Sequence, residues 1–363
     1  MRPHSVAKRP KYLDVREQIA ETVEGLNSGD RIATVRELKE RFKVSQATLD
    51  RALNDLSSQN LLTRKWGSGI YVGSKKRQKE TFTVGVLVSD VTDRFCALLV
   101  KGIEQQFTRE HYHTLLCNGY QTFKTELEII HSIRKKVDGL IINPTTANIY
   151  NPEYVSYFHS LQKKQKHLFL LVDIHIPNIV APFLGFDNYH AFSEAVRMIS
   201  PRWKSYNIVY LAGLESVPGL ERLQGFRDAL AKNGVPEKEV TVVPVDITKL
   251  NIDIPWSDFP SGRPFLFFVA SPLFLPKLVT QLQQKSLSVP RNAVLVSIVE
   301  EDYLDYTTVP VLGLVKPSLY MGKTAAGLLS EMMKGKRVSE STRLSLRLEI
   351  PDVYREILRP NGL

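Results

Sequence analysis

The sequence predicts a multi-domain protein, an N-terminal winged helix-turn-helix followed by a two-lobed α/β domain. Three observations lead there. Residues 34–72 set two short amphipathic helices beside a hairpin pattern, and from residue 81 strand-like and helix-like runs alternate. At 363 residues the chain is also too long for one ordinary domain. With 43% hydrophobic residues it can bury full-size cores, and 24% charged is ordinary for a soluble protein.

Residues 1–10 read as a basic tail, and a first helix runs over about 12–25 to a turn cluster at Leu26-Asn27-Ser28-Gly29-Asp30. Thr34-x-x-Glu37 is a capping box, so a second helix begins at Val35. Phe42-Lys43-Val44 makes a tight connection, and Ser45 caps the next helix. There Leu49, Ala52, Leu53 and Leu56 fall on one face, and Gln46, Asp50, Arg51 and Asn54 fall opposite. Those polar side chains can bond to base edges or phosphates. Two β-like runs, 61–65 and 70–72, are joined by Trp66-Gly67-Ser68-Gly69. Two helices, a short turn and a hairpin describe a winged DNA-binding unit. A small helical hairpin without a nucleic-acid role is the alternative.

Charge favours the first reading. Residues 1–80 hold 17 Lys and Arg against 10 Asp and Glu, a net of +7, and the remaining residues have a net of only +3. A basic face concentrated in a small domain suits a polyanion. Residues 74–81 are charged and read as a linker between a domain over 11–73 and one over 82–363.

In the larger domain strands are expected over 84–88, 113–117, 139–143, 168–173, 208–212, 241–245, 265–270 and 294–298, with helices between most of them. Such alternation gives parallel sheets covered on both faces. Two successive lobes leave a crevice at the C-terminal ends of their strands. Cys96 and Cys117 form no CxxC motif and suit packing in a reducing compartment. No apolar segment follows the basic N-terminus, and the longest apolar runs are strand-sized, so a cytoplasmic protein without membrane spans is expected. The eight histidines show no metal spacing, and no cofactor or nucleophile motif stands out. Gly322-Lys323-Thr324 has Pro317 where a phosphate-binding loop needs glycine.

Residues 11–72 resemble the winged-helix domain of the GntR regulators through Lys11-Tyr12, Ile19, T-V-R-E-L, V-S-x-x-T-L and the closing L-L-x-x-x-x-G-x-G-I-Y-V. That resemblance implies DNA contacts from Arg36, Ser45, Gln46, Thr48 and the wing-tip Gly67, with Arg51 on the same polar helix. Gln46 and Asp50 depart from the arginines common in that family. Arginine suits guanine and glutamine suits adenine, so a different preferred sequence follows.

Residues 82–363 resemble the LacI/GalR effector domain, which shares its fold with periplasmic sugar-binding proteins of type I. The markers are V-G-V-L-V-S-D-V-T-D-R-F, D-G-L-I-I-N-P, Gly185-Phe186-Asp187-Asn188, E-R-L-Q-G-F-R-D-A-L and 351–355. The combination is similar to the AraR-like arabinose repressors, with a charged linker where LacI-type proteins have a minor-groove hinge helix. Lobes over about 82–186 with 311–336, and 187–310 with 337–363, are implied. So is an effector site. Arg222 would bond hydroxyls or a carboxylate, although an arginine at a helix start is otherwise a surface residue. Asp173 would accept a hydroxyl or else cap a turn, and Phe95 would lie against an apolar face or else in the core. Ser89 and Asp90 sit at the edge of the first lobe. Ser271-Pro272 stands where relatives have Asn-Asp, and Glu300 could replace a missing aspartate. The expectation is a homodimeric repressor that reads a pseudo-palindromic DNA operator and answers to a small sugar. The rivals are a sugar-binding protein without DNA regulation and an enzyme using the crevice.

Overall fold

The computed structural model describes residues 11–24, 26–27, 29–58, 61–65, 67–73, 81–145, 149–163, 168–213, 216–246 and 249–358. The expected basic tail, linker residues 74–80, Gly25, Ser28 and Trp66 lie outside them. The chain divides into two compact units after Thr81.

The first unit contains α1 (Lys11–Glu24), β1 (Arg31–Ala33), α2 (Val35–Phe42), α3 (Gln46–Ser58), β2 (Leu62–Lys65) and β3 (Gly69–Val72). The capping box at Thr34 forms as expected, Thr34 Oγ1 accepting from Glu37 N and Glu37 returning the bond to Thr34 N. Helix α2 ends where Lys43 turns left-handed, at φ 47°. Leu49, Ala52, Leu53 and Leu56 of α3 are buried together with Val15, Ile19, Leu38, Leu62 and Ile70. The hairpin β2–β3 is antiparallel, and β1 adds a third strand against β3. Three residues are too few to show a strand period, so β1, between the turn cluster at 26–30 and the capping box at Thr34, is not legible as a strand.

The second unit opens with β4 (Thr83–Val88), α4 (Arg94–Arg109), β5 (His113–Asn118), α5 (Phe123–Ile133), β6 (Gly139–Ile142), α6 (Pro152–Lys163), β7 (Phe169–Val172) and β8 (Phe183–Phe186). The chain then crosses to a second lobe with α7 (Asn188–Ile199), β9 (Asn207–Ala212), α8 (Val217–Lys232), β10 (Val240–Pro244), β11 (Phe265–Val269), α9 (Leu275–Gln284), β12 (Ala293–Glu300), α10 (Tyr303–Tyr306) and β13 (Leu312–Lys316). It returns for α11 (Ser318–Met333) and β14 (Ser341–Leu344), and ends in the second lobe with β15 (Arg347–Glu349) and α12 (Asp352–Leu358).

The sheets have the orders β14-β8-β7-β6-β4-β5 and β10-β9-β11-β12-β13-β15, parallel throughout except for the β13–β15 pair. Alternate side chains of each strand enter opposite faces. In the first sheet Val84, Val86 and Val88 meet α4 and α11, while Leu87, Leu140 and Ile142 meet α5 and α6. Both faces of the central strands are therefore sealed, while edge strand β5 stays partly open.

The lobe boundaries need correction at 311 and 337. Strand β13 is hydrogen-bonded beside β12 in the second sheet, and β14 lies beside β8 in the first. The crossings consequently fall at Asp187, at Pro317 and between β14 and β15. Helix α11 closes the first lobe by packing on α4, where Gly322 meets Gly102. A Cβ on Gly322 would lie 2.1 Å from Leu99 O, and one on Gly102 would lie 2.2 Å from Leu319 O. Such backbone proximity admits only glycine.

Candidate functional site

In the first unit the core dictates what α3 presents. With its apolar face buried, Gln46 and Asp50, one turn apart, stay outside and are bonded Nε2 to Oδ2 at 2.9 Å. Ser45 Oγ accepts from Thr48 N at 3.2 Å and shares a 2.8 Å hydrogen bond with Thr48 Oγ1, which satisfies the helix start. Arg36 is 89% exposed near the start of α2 and pairs with Glu40. Gly67 has φ +70°, the left-handed conformation a wing tip needs. Arg51 stands apart from these, its guanidinium 4.1 Å from the centroid of the Tyr12 ring on α1. Arg64 of β2 was not anticipated. Its Nη1 donates to Asp50 Oδ1 at 3.2 Å and its Nη2 to Asp50 O at 3.4 Å.

In the second unit charged side chains gather where strand ends from both lobes meet. Asp173 follows β7 with φ +63°, a conformation aspartate tolerates, and its Oδ1 is buried without a hydrogen-bond partner among the described residues. Burial pushes its carboxyl above the usual carboxylate range, against the opposing pull of Lys316 and Arg222. Arg222 lies in the second turn of α8, not at its start, and is 9% exposed. Its Nε donates to Asn188 Oδ1 at 2.8 Å and its Nη1 to Ala270 O at 2.6 Å, and Nη2 makes no hydrogen bond among the described residues.

Strand β12 runs on to Glu300, which is 4% exposed and opposite Lys316 in the β12–β13 register. Their side chains form an ion pair, and Ser318 Oγ donates to the other Glu300 oxygen. The Lys316 ammonium sits 4.5 Å from the Phe95 ring centroid and 5.8 Å from that of Phe186, placing a second-lobe cation on first-lobe aromatics. Phe95 is 7% exposed and belongs to the first-lobe core as well.

Phe95, Asp173, Arg222 and Glu300 are therefore brought together. Ser89 is linked only indirectly, through Asn143, whose Nδ2 donates to Val172 O beside Asp173. Asp90 is occupied by Thr92 and Gln121, and these bonds hold its carboxyl below the usual range. Ser271 is half-buried next to Ala270 and precedes a short 3-10 helix. Sequence reading missed Lys316, although a lysine closing the apolar run 311–315 was a visible signal. It also passed over Asn188, which stood inside the quoted Gly185–Asn188 marker. Nearby, Arg94 pairs with Asp302 and Arg343 with Glu221 at 2.9 Å, both between lobes. Among the described residues there is no group of three or more potential metal ligands, and no helix is long and apolar enough to cross a membrane.

Comparisons with known proteins divide at the same point. Residues 11–72 match the family model for bacterial regulatory proteins of the gntR family. Residues 81–249 match periplasmic binding proteins and the sugar-binding domain of the LacI family, and 206–350 match a periplasmic binding protein-like domain. The arabinose metabolism transcriptional repressor of Geobacillus stearothermophilus is 25% identical, over 94% of this chain and 96% of that repressor. Catabolite control protein A of Priestia megaterium is 24% identical, over 87% of this chain and 97% of the relative. Among solved structures, a LacI family transcriptional regulator from Enterococcus faecium with bound ribose aligns with TM-score 0.60 and 21% identity, covering 74% of this chain and 96% of that one. Transcription regulator CcpA of Lactococcus lactis aligns with TM-score 0.61 and 18% identity, covering 74% and 97%.

Proposed function

Since the chain joins a gntR-family winged helix to a LacI-type periplasmic-binding-protein-like domain, we propose that it is an effector-responsive transcriptional regulator, a repressor of carbohydrate-related genes. One observation carries the reading: a single chain holds both a capped recognition helix with an exposed polar face and a two-lobed domain with an unpartnered buried acceptor at its strand ends. Relatives that span nearly the whole chain and are named repressors support it.

On this reading Arg36, Ser45, Gln46, Thr48 and Gly67 face DNA. Arg51, exposed and stacked on Tyr12, is read as a DNA contact from the same helix. Asp173 accepts an effector hydroxyl, Arg222 donates through Nη2, and Phe95 is the apolar wall once Lys316 moves aside. Ser89, Asp90, Ser271 and Glu300 shape the site from one bond further away. The protein acts as a cytoplasmic homodimer, reading two half-sites of a pseudo-palindrome. In support, edge strand β5 leaves Leu115 and Leu116 exposed at 38% and 42%, a seam that a second copy would cover. The crevice is assigned to binding rather than turnover.

The test is selection of bound duplexes from a random pool, with and without a mixture of sugars that includes arabinose and ribose. Enrichment of an inverted repeat, lost in one sugar fraction, is the expected result. Salt-sensitive bulk binding without enrichment would leave only a sensor of unknown output.

A further inference from the structure

Helix α3 is short of positive charge for a helix that meets DNA. Between Gln46 and Ser58 its one basic residue is Arg51, and that guanidinium is stacked on Tyr12. The presented face carries Asp50 instead, one turn beyond Gln46. An unneutralised carboxylate there would face phosphates of its own sign. Arg64 changes that balance. Leu62 of β2 is buried in the core beneath α3, and Arg64, two residues on, shares that face of the wing. Its guanidinium reaches both the side chain and the carbonyl of Asp50.

We propose that Arg64 is a DNA-contacting residue that supplies, from the wing, a cation beside Asp50 on the presented face of α3, with Asp50 as its positioning residue. The inference rests on the DNA-reading function proposed above. A guanidinium carries five N–H donors, and two of them go to Asp50. The others can hold a backbone phosphate while the pair stays intact. Arg64 and Asp50 side chains are 33% and 37% exposed, so the pair is hydrated and adds little to stability. It does fix direction, because one carboxylate orients Arg64 through Oδ1 and Gln46 through Oδ2.

The experiment measures affinity for the duplex enriched in the selection above, as a function of salt, for wild type, Arg64→Ala and Asp50→Asn. Arg64→Ala is expected to weaken binding about tenfold and to lower the slope of log K against log salt by about one, as loss of one phosphate contact does. Its melting temperature should stay at the wild-type value. Asp50→Asn keeps the size of the side chain and should weaken binding less, while relaxing base preference at the position Gln46 reads. An unchanged slope with Arg64→Ala, whatever the affinity, would make the pair a tie between wing and helix and overturn the proposal. Wild type that enriches no duplex would overturn the regulator reading as well, so the two failures are distinguishable.

Discussion

At the scale of single residues the crevice is defined by which polar atoms already have partners. Arg222 has two nitrogens committed to Asn188 and Ala270, so truncation removes both a ligand donor and a brace of α7. Arg222→Ala should abolish the effect of sugar on DNA binding and leave apo DNA affinity unchanged, read by anisotropy with and without effector. Asp173 has a raised pKa because of burial, and the sign of its pH effect follows. A raised folded-state pKa favours the folded protein below the unfolded value, near pH 3.9, and that contribution disappears as pH rises through the folded value. Asp173→Asn should therefore raise the melting temperature at neutral pH, with the gain shrinking as pH falls to about 4. Lys316 and Glu300 are 8% and 4% exposed, and losing one partner strands a buried charge. Lys316→Met should cost about 3–5 kcal/mol in denaturant unfolding, and adding Glu300→Gln should recover most of it.

Secondary-structure elements separate what was legible from what was not. The capping box at Thr34 and the apolar seam of α3 are local signals, and both form as written. Thr34→Ala should lower winged-helix stability by about 1 kcal/mol, measured by thermal melting. Most of the parallel strands were readable as short apolar runs, since burial on both faces removes any need for polar alternation, but β8, β13 and β14 are absent from the expected strands. Strand partners were not readable. Whether 312–316 pairs with 293–300 or joins the other lobe depends on residues far away in sequence, which local pattern does not encode. Roles in the crevice were hidden for a similar reason. Lys316 looks like the end of a strand until Glu300 and Phe95 appear beside it. Conversely, Gly322 drew notice only as the end of a rejected phosphate-loop pattern, yet with Gly102 it marks a close approach of α4 and α11. Gly322→Ala should destabilise the sensor unit by several kcal/mol, since the obstructing atom is a backbone carbonyl. A melting temperature within a degree of wild type would refute that close packing.

For the whole molecule, regulation requires that effector binding in one unit change DNA affinity in the other. A tenfold change corresponds to about 1.4 kcal/mol of coupling, and DNA must weaken effector binding by the same factor. Titrating effector with and without operator checks that reciprocity directly. The three crossings have another consequence, one of timing. Residues 11–73 have their own core and are complete early in synthesis. The first lobe begins at residue 82, but it gains α11 and β14 only after nearly all of the second lobe has left the ribosome. Domains that are contiguous in sequence can fold as they emerge; this lobe must wait for its last helix. Each newly made chain thus carries a folded winged helix before its second unit is complete, and truncation or a stalled ribosome late in translation would leave that winged helix joined to a first lobe without α11 and β14.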